Sequence, residues 1–251
     1  MADDSALTTA AAAIRRSRLT VAMTGAGVSV ESGLPDFRSP GGIWSKYDPR
    51  EYAYIESFLR NPRKIWRFID ELIRDYGDAQ PNEGHRALAR LEAAGKLAAV
   101  ITQNIDNLHQ AGGSEKVIEF HGNMHRLICL DCRSSYSIRD EEVMAQTPPQ
   151  CRCGRVLKPD FVFFGEMIPP RALEESFRLA AQCDVLLVAG TSAEVSPASM
   201  IPAEAKQSGA TLVELNLSPT LLTDHLTDIF LPGPFAEVMP RLTTAVLAEP
   251  S

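Results

Sequence analysis

The 251-residue chain predicts a doubly wound α/β fold, a parallel sheet flanked by helices and carrying a smaller inserted domain. Three observations carry this expectation. Apolar runs of strand length alternate with helical stretches, the pattern of parallel βαβ units. Polar or glycine-rich clusters follow those runs, and ligands of such sheets gather at the carboxyl ends of the strands. Four of the five cysteines fall between Cys129 and Cys153, in a turn-rich stretch that interrupts the alternation.

Taken in order, the Ala-rich segment Ala6–Ile14 forms a helix, and Leu19–Met23 is a buried strand followed by the turn-like Thr24-Gly25-Ala26-Gly27. Gly33, Pro35, Pro40, Gly41 and Gly42 break regular structure, so residues 33–47 are expected to be a loop. Ile65, Trp66, Ile69, Leu72, Ile73 and Tyr76 recur at helical spacing, with Asp70, Glu71, Arg74 and Asp75 between them. Pro62 suits the first turn of that helix. Residues 83–94 are helical again after Pro81-Asn82. Leu97–Thr102 and Val117–Phe120 read as strands. Gly122 to about Pro159 reads as the inserted module. Val185–Ala189, a helix over Pro197–Gln207, and Thr211–Asn216 then give strand–helix–strand.

Apolar residues make up 45% of the chain, which suits a sizeable core, and 25 Lys and Arg against 32 Asp and Glu leave a net charge of −7. That balance argues against non-specific binding to nucleic acid or anionic lipid. No apolar run approaches the roughly 20 residues of a membrane helix. The start, Met-Ala-Asp-Asp-Ser, lacks the basic and apolar regions of a secretory signal. A cytoplasmic location is expected.

Gly25-Ala26-Gly27 follows a strand and is expected to open a helix, where backbone amides can meet a phosphate. It departs from the dinucleotide fingerprint, because Val30 stands where a third glycine belongs. An acidic residue about 20 positions on is also missing, which disfavours an ordinary hydride-transfer dehydrogenase. The alternative for this turn alone is an ordinary strand-to-helix connection. Cys129-x2-Cys132 and Cys151-x-Cys153 form two close pairs with the spacing of a tetrahedral thiolate zinc site. Four cysteines fill the coordination shell, so the metal would be structural. From Gly122 to Asp160 there are six basic residues (Arg126, Arg133, Arg139, Arg152, Arg155, Lys158) and five acidic ones (Asp131, Asp140, Glu141, Glu142, Asp160). A zinc-bound tetrathiolate adds −2, so the module lacks the positive footprint of a nucleic-acid binder. Cys183 reads as a small core residue.

Gln103-Asn104-Ile105-Asp106-Asn107 follows a buried strand, and such a polar run is costly to bury unless its groups are satisfied. It can read a ligand's amide or sugar, or it can cap the next helix. His121-Gly122 ends another strand, where a histidine has room to act as a base beside a substrate. His85, His109, His125 and His225 compete for that role, and a surface or a satisfied histidine is the plainer reading.

Together these segments resemble the sirtuins, NAD-dependent protein-lysine deacylases. The resemblance rests on Gly25-Ala26-Gly27-Val28-Ser29, Ser32-Gly33-Leu34-Pro35-Asp36-Phe37-Arg38 and Thr102-Gln103-Asn104-Ile105-Asp106-Asn107-Leu108-His109. It continues through His121-Gly122, the two cysteine pairs and Phe161-Val162-Phe163-Phe164-Gly165-Glu166. It closes with Gly190-Thr191-Ser192-Ala193-Glu194-Val195 and Asn216-Leu217-Ser218-Pro219-Thr220. Leu34 and Ala193 replace a more usual Ile and Leu, and the cysteine spacing is the shorter variant.

The resemblance implies a Rossmann-like NAD-binding domain formed by residues 1–35, 81–121 and 161–251. A small domain would combine a helical module, 36–80, with a zinc module, 122–160. It implies NAD as co-substrate beneath the 33–47 loop. Gly25, Ala26 and Gly27 would face the pyrophosphate, with Phe37 and Arg38 near the nicotinamide ribose. Gln103, Asn104 and Asp106 would line the nicotinamide pocket, and Ser192, Asn216 and Phe235 would lie by the adenosine. Ser29, Asp36, Trp44, Ile105, Gly190, Thr191 and Leu217 complete the expected cofactor contacts. An acyl-lysine peptide or protein would add as a strand between Val162, Phe163, Phe164, Gly165 and Glu166 on one side and Glu194 and Val195 on the other.

The implied reaction has the acyl oxygen attack C1′ of the ribose as nicotinamide leaves. His121 then serves as general base on a ribose hydroxyl, with Asn104 and Asp106 as catalytic partners. The products are lysine, nicotinamide and 2′-O-acyl-ADP-ribose. Family members that remove succinyl or malonyl groups carry Tyr-x-x-Arg before the Pro-Asn-x-Gly-His motif. Here the corresponding acyl-pocket positions hold Ile69 and Leu72, which implies acetyl or longer neutral acyl groups; Arg67 or Arg74, from a neighbouring turn, is the alternative source of a cation. ADP-ribosyl transfer to a protein, or a non-catalytic NAD-dependent binding module, are the rival readings. A monomer is expected.

Overall fold

Thr20–Thr24 (β1) and Val185–Ala189 (β7) are buried along their entire length. That is the expected state of strands covered on both faces by helices. The computed structural model describes residues 4–77 and 79–248. The chain opens with α1 (Asp4–Arg16), β1 and a 3-10 helix, Ala26–Ser32. Four helices follow, α2 (Ile43–Lys46), α3 (Pro49–Tyr52), α4 (Ile55–Arg60) and α5 (Pro62–Gly77). Next come α6 (Glu83–Ala93), β2 (Ala99–Thr102), α7 (Leu108–Ala111) and β3 (Val117–Glu119). The insertion holds β4 (Gly122–Ile128), β5 (Ser135–Ser137), α8 (Glu141–Met144) and β6 (Lys158–Phe161). The chain continues through α9 (Pro170–Gln182), β7, α10 (Met200–Gln207) and β8 (Thr211–Asn216). It ends with α11 (Leu221–His225), β9 (Ile229–Pro232) and α12 (Phe235–Leu247).

Six strands form one sheet in the order β3-β2-β1-β7-β8-β9, and every pairing in it is parallel. Alternate residues feed two cores, because successive side chains of a strand point to opposite faces. Ala22, Val100, Leu187 and Val213 pack with Leu88 and Leu91 of α6 and Val238, Met239 and Leu242 of α12. Val21, Met23, Ile101, Leu186 and Leu212 pack on the other face with Leu179 of α9 and Ile201 of α10. Cys183 belongs to this second core. Its thiol donates to the Ala180 carbonyl at 3.3 Å, and burial pushes its pKa up to about 11.

The insertion is more regular than its sequence suggests. β5, β4 and β6 form an antiparallel sheet. Its apolar side packs against α4 and α5 in a third core, which joins Phe58, Trp66, Phe68, Ile69 and Leu72 to Met124, Leu127, Leu157 and Phe163. The buried Trp66 indole N–H donates to the Leu157 carbonyl at 2.9 Å and ties the two parts together. The expected 33–47 loop also contains a helical turn, α2. It closes because Asp36 Oδ1 accepts the Arg38 and Ser39 amides, at 2.8 and 2.7 Å. The Asp36 carbonyl then accepts the Ile43 amide. The sequence patterns above do not mark α3, α4, α8, α9, α11, β9 or α12. No helix among the described residues is long and apolar enough to cross a membrane.

Candidate active site

From β1 the chain builds outward through β2 and β3, then returns to place β7 on the other side of β1. The β1/β7 boundary is therefore the switch point, where the loops leaving two adjacent strands diverge and open a crevice. Gly25 and Gly190 stand at the carboxyl ends of those two strands. The Gly27 amide donates to the Gly190 carbonyl at 2.9 Å. A Cβ on Gly27 would lie 2.8 Å from Gly190 Cα, and one on Gly190, where φ is +58°, would lie 2.5 Å from the Val28 nitrogen. Only glycine permits this approach. It leaves a floor of backbone where a pyrophosphate can sit against the opening of the 3-10 helix Ala26–Ser32. The helix expected there takes the tighter 3-10 form.

The polar run after β2 is fully engaged. Asn104 Nδ2 donates to the Gly25 carbonyl at 3.1 Å and to Ser29 Oγ at 3.2 Å. Ser29 Oγ donates to Asp106 Oδ2 at 2.7 Å, and Asp106 Oδ1 accepts the Leu108 amide at 2.9 Å. All three side chains are buried. Burial raises the Asp106 pKa, and the Leu108 and Ser29 hydrogen bonds oppose that rise. Asp106 thus accepts the first amide of α7 with one carboxylate oxygen and the Ser29 hydroxyl with the other, tying the start of that helix to the glycine turn. Gln103 Nε2 donates to Thr191 Oγ1 at 3.0 Å, and Asn216 Nδ2 donates to the Thr191 carbonyl at 3.2 Å. The ends of β2, β7 and β8 are thereby tied to one another.

His121 follows β3, and its Nδ1 lies 3.1 Å from the Gln103 carbonyl oxygen. A carbonyl only accepts, so Nδ1 carries the proton and neutral His121 presents a lone pair at Nε2. Burial lowers its pKa, against the opposing effect of the Gln103 carbonyl. The ring is accordingly held in the basic, uncharged form near neutral pH.

The 33–47 loop brings an aromatic wall to this side of the molecule. The Phe37 and Trp44 rings are 5.4 Å apart, and Trp44 lies 6.5 Å from Phe68 of α5. Arg38 reaches across to Glu194, with Nε 3.9 Å from Oε2. Desolvation pushes the Asp36 carboxyl up, but the Ser39 and Arg38 hydrogen bonds outweigh it and hold the pKa below its usual range. Asp36 therefore shapes the loop.

After β6, Phe164 pairs with Tyr54 in a single parallel bridge. The Phe164 amide donates to the Ala53 carbonyl at 2.8 Å and the Ile55 amide to the Phe164 carbonyl at 3.0 Å. The Val162 amide donates to the His121 carbonyl at 2.9 Å. The 162–166 segment therefore runs directly beside His121. Val162 and Phe164 are half-buried and Gly165 is exposed, as are Glu194 and Leu217; Ser192, Val195 and Ile105 are half-buried.

Three of the expected site residues, Phe235, Ile69 and Leu72, are core side chains. The Phe235 side chain is inside the first core. A Cβ on Gly84 would meet its ring at 2.3 Å, and the ring stacks edge-on at 5.7 Å from His85. Phe235 thus supports the site by packing. Ile69 and Leu72 lie in the third core, whereas Arg67 and Arg74 on the same helix are exposed.

Two further groups lie outside the expected site residues. Asn82 caps α6, with Oδ1 accepting the Gly84 and His85 amides at 2.9 and 3.3 Å. Its Nδ2 donates to the Val28 carbonyl and to Ser32 Oγ, holding the 3-10 helix. The Pro81-Asn82 punctuation was the available signal. The second is the ring pair His85 and His109, 4.8 Å apart, with His109 Nε2 2.8 Å from Thr24 Oγ1. Nothing local in sequence joins these two histidines.

The four clustered cysteines converge, with all sulfurs within 4.8 Å of one another. Cys129 Sγ is 3.6 Å from Cys153 Sγ, and Cys132 Sγ is 3.4 Å from Cys151 Sγ. All four are free thiols. Zinc–sulfur bonds of about 2.3 Å would set tetrahedral sulfurs about 3.8 Å apart, so this donor set fits one zinc ion with no open position.

Known proteins agree with this geometry. The Sir2 family's sequence profile matches residues 25–197. An NAD-dependent protein deacylase 2 from Pyrobaculum aerophilum is 46% identical over 231 residues, 92% of each chain. The crystal structure of a Sir2 homologue in complex with NAD superposes with a TM-score of 0.88 at 40% identity, covering 97% of this chain and 93% of that one. A Sir2 variant with a deacetylated p53 peptide and 3′-O-acetyl ADP-ribose gives 0.89 at 38% identity, covering 94% and 96%. With a profile match over most of its length, a relative of this identity and a shared fold, the chain belongs to the Sir2 family.

Proposed function

We infer that this protein removes acyl groups from protein lysines at the expense of NAD. The observation that carries the reading is His121. Its proton is fixed on Nδ1 by the Gln103 carbonyl, which leaves Nε2 basic beside the polar cluster at the switch point. Bound NAD would supply a ribose C1′ with nicotinamide as leaving group, and the acyl group would finish on the ADP-ribose product. Gly25, Ala26, Gly27 and Gly190 would hold the pyrophosphate through backbone. Asn104, Asp106 and Ser29 form a preset polar wall for the nicotinamide end, with Gln103 and Ile105 beside it. Asn216, Ser192 and Leu217 would border the adenosine. Phe37 and Trp44 would exclude water from the reacting carbon, which matters because its transition state is cation-like. His121 Nε2 takes the proton of a ribose hydroxyl.

The acyl-lysine peptide would lie as a strand between 162–166 and Glu194–Val195. Residues 1–35, 81–121 and 161–251 serve as the NAD-binding domain. Residues 36–80 and 122–160 act together as the small domain, consistent with their shared core. A zinc ion on Cys129, Cys132, Cys151 and Cys153 braces that domain. The protein is read as a cytoplasmic monomer without a nucleic-acid partner.

The acyl group is neutral on this reading. Ile69 and Leu72 lie in an apolar core and Arg67 and Arg74 of the same helix are exposed, which supports an uncharged acyl pocket. Mass spectrometry of the purified protein with NAD and a panel of acyl-lysine peptides tests both points. Loss of acetyl or a longer aliphatic acyl group, with formation of acyl-ADP-ribose, is the expected result. Equal turnover of succinyl-lysine would overturn the neutral-acyl reading. A peptide gaining the mass of ADP-ribose without losing its acyl group would replace deacylation altogether.

A further inference from the structure

Lys158 opens β6 and is 4% exposed, a rare state for a lysine unless it is paired. Its ammonium has three donors, and the structure satisfies all three. Nζ donates to the Pro159 carbonyl at 2.9 Å, to the Phe161 carbonyl at 2.7 Å and to Glu166 Oε2 at 3.0 Å. The faces of Phe163 and Phe161 lie 5.1 and 5.9 Å from it. Glu166 Oε2 also accepts the Phe163 amide at 2.8 Å, and the Glu166 amide donates to the Phe163 carbonyl at 3.0 Å. The carboxylate therefore closes the turn Phe163–Glu166, and the ammonium anchors that turn to β6.

An apolar side chain would fill this aromatic surrounding without the desolvation cost of a buried charge. What the pair supplies instead is a fixed geometry, because one ammonium measures the distance between two backbone carbonyls and one carboxylate. We propose that Lys158, acting through Glu166, is a positioning residue for the acyl-lysine peptide, setting the 162–166 segment at the height where a substrate strand pairs with it beside His121. Lys158 itself touches neither peptide nor NAD. The proposal rests on the deacylase reading and concerns peptide engagement alone. The glycine floor and polar cluster that would receive NAD lie on β1, β2 and β7 and share no hydrogen bond with Lys158.

The test compares Lys158→Met, Lys158→Arg and the parent protein, each full-length and zinc-loaded. Nicotinamide release is measured with an acetyl-lysine peptide varied at saturating NAD, and then with NAD varied. Binding of the same peptide, fluorescently labelled, is measured by polarisation. Lys158→Met should raise the peptide KM and Kd by about tenfold or more, since small misplacements of a positioning element carry losses up to about a hundredfold. The KM for NAD and the zinc content should stay at parental values, and Lys158→Arg should recover most of the peptide affinity. Unchanged peptide KM and Kd in the Met variant would overturn the proposal, as would a fall in kcat with the peptide KM untouched. Should Lys158→Met fail to fold, Glu166→Gln retains an acceptor for the Phe163 amide but loses the charge. Its peptide KM should rise several-fold, and a parental value there overturns the proposal equally. A parent protein that binds the peptide but releases no nicotinamide would count against the deacylase reading, while the polarisation arm still decides the role of Lys158.

Discussion

β1 and β7 are buried on both faces, whereas β5 exposes Ser135 and Ser137 and half-covers only Tyr136. The six-stranded sheet carries a helical layer and a core on each side. The three-stranded sheet has one apolar face, lent partly by α4 and α5. Close packing therefore fixes the first region. The second is too small to hold itself by burial alone, a deficit that small domains meet with a metal or a disulfide. The candidate site is assembled from both. The glycine floor and polar cluster come from the packed sheet, and the 162–166 segment emerges from the cysteine sheet.

The sharpest way to break this contrast is to remove the metal ligands. Cys151→Ser, or a strong chelator, should abolish activity, since structural zinc contributes on the order of 10 kcal/mol to small domains. Amide hydrogen exchange should then show protection lost in β4, β5 and β6 and retained in β1, β7 and β8. Uniform loss across both sheets would mean that the two regions fold as one unit.

A smaller effect is confined to the packed sheet's own edge. His121→Ala should slow turnover by about 10²- to 10⁴-fold while leaving thermal stability and zinc content unchanged. The sign of its pH dependence follows from the lowered pKa. The neutral ring is the active form, so kcat should fall only as pH drops below the usual histidine range, and the acid limb should vanish in the Ala variant. Stopped-flow or steady-state kinetics across pH 5–8 (a range set by ordinary histidine titration) would show this.

Acid should also act on the packed side through His85 and His109. Burial lowers the His85 pKa to about 4, with Arg86 adding to the effect. Burial takes His109 well below its usual value, assisted by His85. Both are neutral when folded, so the unfolded chain binds more protons as pH falls from about 6.5 toward 4 and stability declines over that window. His85 alone accounts for up to about 3 kcal/mol. Denaturant unfolding of wild type and His85→Asn at several pH values should show a shallower decline in the variant. Comparing the two slopes separates this effect from acid release of zinc, which both proteins share.

The last contrast is at the turn itself. Gly190→Ala places a Cβ at φ +58° and 2.5 Å from the Val28 nitrogen. The backbone strain alone costs about 1–3 kcal/mol and the clash with backbone adds to it, read as a lowered urea midpoint at unchanged slope. Gly209→Ala, also at positive φ but with nothing within 4 Å of the added Cβ, isolates the backbone strain from the steric clash.

Much of the fold was legible from local chemistry. The strand-length apolar runs became β1, β2, β7 and β8, and the cysteine spacing anticipated a converging tetrad. The glycine turn was legible as a turn, but its 3-10 geometry was not, because the Gly190 carbonyl that receives the Gly27 amide lies 163 positions away in sequence. The resemblance places Phe235 by the adenosine. Its ring instead fills the space that a side chain at Gly84 would occupy, a contact between α6 and α12 that no local pattern encodes. The regular strands of the insertion leave no clear sequence signal because β5 and β6 are short and their apolar partners belong to α4 and α5.

The sequence by itself determined the strands β1, β2, β3, β7 and β8, the zinc donor set and the identity of the polar residues at the strand ends, which follow from periodicity, spacing and residue type acting over a few neighbours. The family followed from the resemblance of whole motifs. Tertiary structure alone decided which nitrogen of His121 is free, how Asn104, Ser29 and Asp106 satisfy one another, and that Lys158 reaches Glu166. Each of these depends on a donor and an acceptor brought within about 3 Å by folding, and burial then makes the pairing obligatory.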